Sequence, residues 1–203
     1  MFVLIMPLHI TSNTKSLRIR PETKRELITL IFQELENQGP DADLNFIDTS
    51  LITNMTYLFH HFSIRNIKID YWDVSNVTNM EGMFLGCSEL NCDLSKWDVS
   101  NVTKMDSMFA GCHNFEGTGL SFWNVSKVES LDSTFFDCTI LKADLSNWNV
   151  SNVRFLNNTF EGCRIFNGDL SGWFITCNRA NCTGTFLNCG IEPDHKPQLF
   201  MFI

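Results

Sequence analysis

Tryptophan stands at positions 72, 97, 123, 148 and 173, so that successive copies are 25, 26, 25 and 25 residues apart. A fixed interval of this length constrains the fold more than any other feature of the chain. It marks a unit that cannot bury its own apolar face and must lie against copies of itself. Other residues keep the same step. Phe84, Phe109, Phe135 and Phe160 each follow a Trp by 12 residues, and Cys87, Cys112, Cys138 and Cys163 follow by 15. A degenerate first copy runs from Ile47 through Ile52 and Met55 to Phe59, with Ile47 in the Trp place. A last copy, Trp173 to Cys189, carries one extra residue before Phe186. Six copies thus cover Asp43 to Cys189.

Within one copy the spacing changes partway. Trp97 and Val99 alternate with Lys96, Asp98 and Ser100, which predicts a short strand with one buried face. Val102, Met105, Phe109 and Cys112 then follow at helical intervals, which predicts a short helical turn, with Ser100 or Asn101 at its start and Gly111 in the return. The expected fold is therefore an α/β repeat solenoid, a leucine-rich-repeat-like stack of about six 25-residue coils, each a strand plus a helical turn. The expected organisation is an N-terminal segment and capping helix over 1–42, the repeats over 43–190 and a C-terminal tail over 191–203. The cap is a helix from Pro21 to Asn37, stopped by Gly39-Pro40, with Leu27, Leu30, Ile31 and Leu35 laid on the first copy. Met1–Ile10 and Ser16–Arg20 are expected to pair as a hairpin. The apolar tail Leu199–Ile203 is expected to cover the last copy.

Composition narrows the function. A chain of 203 residues with 18 Phe and 5 Trp has enough apolar mass for a continuous core. Its formal charge of -8 opposes contact with phosphate, so nucleic acid is not an expected partner. No apolar run is long enough to span a bilayer. The opening run lacks a basic flank ahead of it, which leads to a cytoplasmic expectation, with the cell surface as the alternative if an export signal lies elsewhere. On that basis all eight cysteines are expected as reduced thiols. Cys177, Cys182, Cys189 and His195 are too widely spaced for the paired cysteines of a structural zinc site, and no metal or cofactor is expected.

Catalytic groups do not stand out. The serines and aspartates recur with the repeat, which suits turn-making better than a unique acid, base or nucleophile. His60-His61 has no partnered carboxylates in the sequence around it. No phosphate-binding or dinucleotide fingerprint occurs, and the sequence reads as non-enzymatic. The variable positions carry the binding expectation. One residue after Trp the chain reads Asp73, Asp98, Asn124, Asn149 and Phe174. Nine residues after it stand Glu81, Asp106 and Asp132, then Asn157. The acidic column Glu81, Asp106 and Asp132, with the irregular Phe174, forms the candidate binding set, and its sign suits a protein partner with a basic surface.

The copies Trp72–Phe84 (Trp-Asp-Val-Ser-Asn-Val-Thr-Asn-Met-Glu-Gly-Met-Phe) and Trp97–Phe109 resemble the BspA-like leucine-rich repeat family, the mycoplasma-lipoprotein type of bacterial repeat, a domain of unknown function. Val102 to Cys112 is also similar to the core of treponemal-type leucine-rich repeats. The resemblance covers nearly the whole chain and implies the repeat fold without fixing a function. It includes surface adhesins, so an adhesin is one alternative function. A cytoplasmic inhibitor or immunity protein is another.

Overall fold

The structure, a computed structural model, describes residues 18–60, 62–176 and 181–200. Helix α1 spans Lys24–Gln38. Thr23 caps it by accepting the N–H of Glu26 at 3.2 Å, and the Glu26 carboxylate reaches back to the N–H of Glu22 at 2.8 Å. Pro21 therefore lies ahead of the cap, and the helix starts three residues later than the expected Pro21 boundary. At the other end Gly39 (φ 79°) returns its N–H to Leu35. Leu27 and Ile31 are fully buried against the first repeat unit.

From Asp43 onward successive units meet through isolated parallel bridges, which run Asn54–Asn79–Lys104–Ser130–Phe155 from one unit to the next. The strand-plus-helix coil expected of each unit does not form. Among the described residues there is one α-helix, a few three-residue 3-10 turns and no sheet, which overturns the leucine-rich-repeat-like α/β solenoid. The hydrogen bonds give the reason. Ser107, Phe109 and Gly111 donate their N–H groups out of their own unit, to the carbonyls of Asp132 (2.8 Å), Thr134 (2.9 Å) and Phe136 (2.8 Å). The residues between them bond locally, Met108 to Met105, Ala110 to Ser107 and Cys112 to Phe109. An α-helix commits every interior N–H to the carbonyl four residues back. Here alternate donors leave the unit, and the segment becomes a chain of tight turns. Ser107 (φ 53°) and Gly111 (φ 73°) hold left-handed backbone that no right-handed helix contains. Turns repeating every three or four residues still place Met105, Met108, Phe109 and Cys112 on the buried side. That spacing mimics a helix.

The expected strand at Trp97–Val99 is likewise cut short. The Asp98 carboxylate accepts the N–H of Ser100 at 3.0 Å, and Val102 donates back to Val99, so the chain bends at once.

What holds the units together is a set of ladders. Phe59, Phe84, Phe109, Phe135, Phe160 and Phe186 stack ring on ring, with centroids 5.2, 5.5, 5.7, 5.4 and 5.6 Å apart. Trp97, Trp123, Trp148 and Trp173 stack within 5° of parallel, with centroids 6.2–6.4 Å apart. Each indole also donates its Nε1–H to a buried carbonyl of the preceding unit, as Trp123 does to Leu94 at 3.1 Å and Trp148 to Leu120 at 2.8 Å. The cysteine column has a comparable role. The Sγ of Cys112 and of Cys138 lies 3.1 Å from the carbonyls of Phe84 and Phe109. Among the described residues no buried side-chain nitrogen or oxygen lacks a partner.

Burial pushes the Cys87 thiol up to about 12 and those of Cys112, Cys138 and Cys163 well above the ordinary value. Cys182 departs from the expectation of eight reduced thiols, because it is disulfide-bonded. Six others are free; Cys177 lies outside the described residues. Of the expected N-terminal hairpin, Met1–Ile10 also lies outside them, while Ile19 pairs in parallel with Ile47. In the tail, Leu199 and Phe200 pack on the core, and Met201–Ile203 again lie outside the described residues.

Candidate functional site

The bridge segments that join the units carry the acidic column. Lys104 and Asp106 flank the buried Met105 and share one face, as Ser130 and Asp132 flank the buried Leu131 in the next unit. Glu81, Asp106 and Asp132 are thereby brought together, half-buried, around an open depression of about 330 Å³ that Lys104, Ser130 and Phe155 complete. Phe174, the fourth expected residue, is not among its lining. It stands 73% exposed, one residue after Trp173.

The carboxylates are not bare. Tyr57 donates its phenolic O–H to Glu81 at 2.6 Å. The Ser130 hydroxyl donates to Asp106. The Asn157 backbone N–H donates to Asp132 at 2.7 Å, with its side-chain amide at 3.2 Å. Each of these acids is thus fixed in orientation by a neighbouring unit. Partial burial disfavours the charged form of Asp106 and raises its pKa, and the charges of Asp132 and Glu81 add to the shift, although the Ser130 hydrogen bond opposes it. The Tyr57 phenol is raised too, chiefly by its bond to Glu81. The depression is therefore a preformed acidic patch with one apolar wall, Phe155, which is 41% exposed.

Sequence reasoning found the three carboxylates through their recurrence. It missed Lys104 and Phe155, although both stand two residues before an acidic-column position, and alternation puts such residues on the same face. It also missed Tyr57 and Ser130, and the role of Asn157 as a donor to Asp132, since these hydrogen bonds reach 24 or 25 residues along the chain. The other column has a different use. Asp73, Asp98, Asn124 and Asn149 each accept the N–H of the serine two residues on, so they make turns and are not free for a partner. Those bonds lower the Asp98 pKa, with the Ser100 hydroxyl the largest cause.

Among the described residues no three His, Cys, Asp or Glu side chains converge in a metal-holding arrangement, and no helix is long and apolar enough to cross a membrane. His195 lies with Nδ1 3.0 Å from the Asn167 side-chain oxygen, and Cys182 is committed to its disulfide, so neither is poised for zinc. His61 lies outside the described residues; His60 packs edge-on against Tyr57.

A unit repeated at this interval, joined by single bridges and filled by aromatic ladders, defines a repeat protein. The chain belongs to the family described as Mycoplasma protein of unknown function, DUF285, which matches residues 28–122 and again 94–191. No curated protein matches the chain.

Proposed function

We propose that this chain is a non-enzymatic protein-binding module that receives a basic segment of a partner at the depression formed by Glu81, Asp106 and Asp132. The observation that carries this reading is that three carboxylates from successive units are oriented in advance by Tyr57, Ser130 and Asn157. Ordering long side chains is a major cost of association, and groups already held need not be ordered on binding. The Phe155 wall would receive the aliphatic stem of a lysine or arginine while its head meets the carboxylates. The experiment is calorimetric titration with a lysine-rich peptide at low and physiological salt. Binding that weakens with salt and is lost in the Glu81→Gln/Asp132→Asn variant is the expected result. Unchanged affinity in that variant overturns the reading.

A second reading has its own observation. The disulfide at Cys182 favours an oxidising compartment over the cytoplasm. Together with the BspA-like motif at Trp72–Phe84, it supports a cell-surface, adhesin-type protein. Protease accessibility on intact cells decides between the compartments: a chain digested only after lysis is cytoplasmic.

A further inference from the structure

Five junctions inside the chain are closed in the same way. Phe59 donates its N–H to Met83, Phe84 to Met108, Phe109 to Thr134, Phe135 to Thr159 and Phe160 to Thr185. The donors two residues away do likewise, as Asn158 does to Thr183 and Gly162 to Leu187. The last unit repeats the donor row at Gly184, Phe186 and Asn188, and among the described residues no further unit lies against it. Among the described residues none of these three N–H groups has an acceptor. Gly184 (φ 69°) and Asn188 (φ 55°) keep the same left-handed backbone as their equivalents upstream, so the row is preformed. Beside it lies a depression of about 450 Å³, lined by Gly184, Phe186, Leu187, Lys196, Leu199 and Phe200. Among the described residues Phe200 packs edge-on against the Phe186 ring at 5.0 Å, and Leu187 is 54% exposed.

We propose that this edge is a docking site for an extended peptide segment of another protein, which adds itself as the next unit would. Three features fix its chemistry. The donor row needs alternate backbone carbonyls in parallel register, as at every internal junction. The open Phe186 ladder needs an aromatic or leucyl side chain to continue the stack. Among the described residues Lys196 is the one charged side chain lining the depression, its Nζ 5.8 Å from the Phe186 ring centre, and calls for an acidic residue in the segment. A second copy of this chain does not fit. Its matching carbonyl edge, in the first unit, lies under α1, and Lys24 Nζ already occupies the Thr56 carbonyl.

This site is separate from the acidic depression, and its test is independent of that reading. The probe is a synthetic peptide of Glu129–Thr139, the segment whose carbonyls receive Ser107, Phe109 and Gly111 at an internal junction. Amide exchange is followed by NMR on the full chain. In the free protein, Gly184, Phe186 and Asn188 exchange at least about tenfold faster than Ser133, Phe135 and Asp137. Saturating peptide slows the three by about tenfold or more, and Leu187→Arg, at an exposed position, abolishes the slowing with the melting midpoint unchanged. Three results overturn the proposal: slow exchange of these amides already in the free chain, no binding at millimolar peptide, or binding that leaves them fast or persists in Leu187→Arg.

Discussion

At the scale of single residues, the recurring side chains are each doing two jobs. Trp123 fills the core, stacks between Trp97 and Trp148, and satisfies the Leu94 carbonyl. Trp123→Ala therefore leaves a cavity and an orphaned acceptor, and should destabilise by about 3–5 kcal/mol in a denaturant titration. Trp173→Ala, which loses a stacking neighbour on one side only, should cost less; equal shifts of midpoint would contradict this. The column thiols combine packing with a bond to a carbonyl 28 or 29 residues earlier. Their raised pKa values and burial make Cys87, Cys112, Cys138 and Cys163 inert to iodoacetamide at pH 8 until the chain unfolds, which mass spectrometry reads directly.

At the scale of the repeat unit, the turns carry the charge and set the response to pH. Asp48, Asp98, Asp144 and Asp169 all have pKa values lowered by hydrogen bonds from a serine two residues on. A depressed folded value means stability that is present above the unfolded value, about 3.9, and lost as pH falls through the folded one. Thermal midpoints should accordingly drop below pH 4, and Asp98→Ala should flatten part of that drop. Asp106 has the opposite sign. Its raised value means a contribution present below about pH 3.9 and lost as pH rises through the folded pKa. Asp106→Asn keeps an acceptor for Ser130 and should match or exceed the native melting midpoint at pH 7, without that advantage at pH 3. A lower midpoint at pH 7 would mean that the ionised carboxylate stabilises the depression.

At the scale of the whole molecule, the first unit is covered by α1, while among the described residues the donor row of the last unit has no acceptor. Helix α1 places Leu27 and Ile31 on the first unit, and Lys24 reaches the Thr56 carbonyl and hydroxyl. Deleting residues 1–38 bares that surface, and size-exclusion chromatography should show oligomers or aggregate. A monodisperse folded truncation would mean that α1 is an attached arm.

The sequence by itself determined the repeat length, the columns and their burial, because an apolar side chain recurring every 25 residues has nowhere to go but against its own copies. It also marked Gly39 as the end of α1 and Glu81, Asp106 and Asp132 as neighbours. It could not tell a helix from a chain of turns over Val102–Cys112. Both bury a residue every three to four positions, and the difference is only where Ser107, Phe109 and Gly111 send their N–H groups. That choice belongs to the neighbouring unit, which offers the carbonyls of Asp132, Thr134 and Phe136 at 2.8–2.9 Å. The hydrogen bonds that orient the carboxylates, and the donor row left open at Phe186, were decided at the same level: each depends on which unit lies alongside, and stacking exists only once the chain has folded.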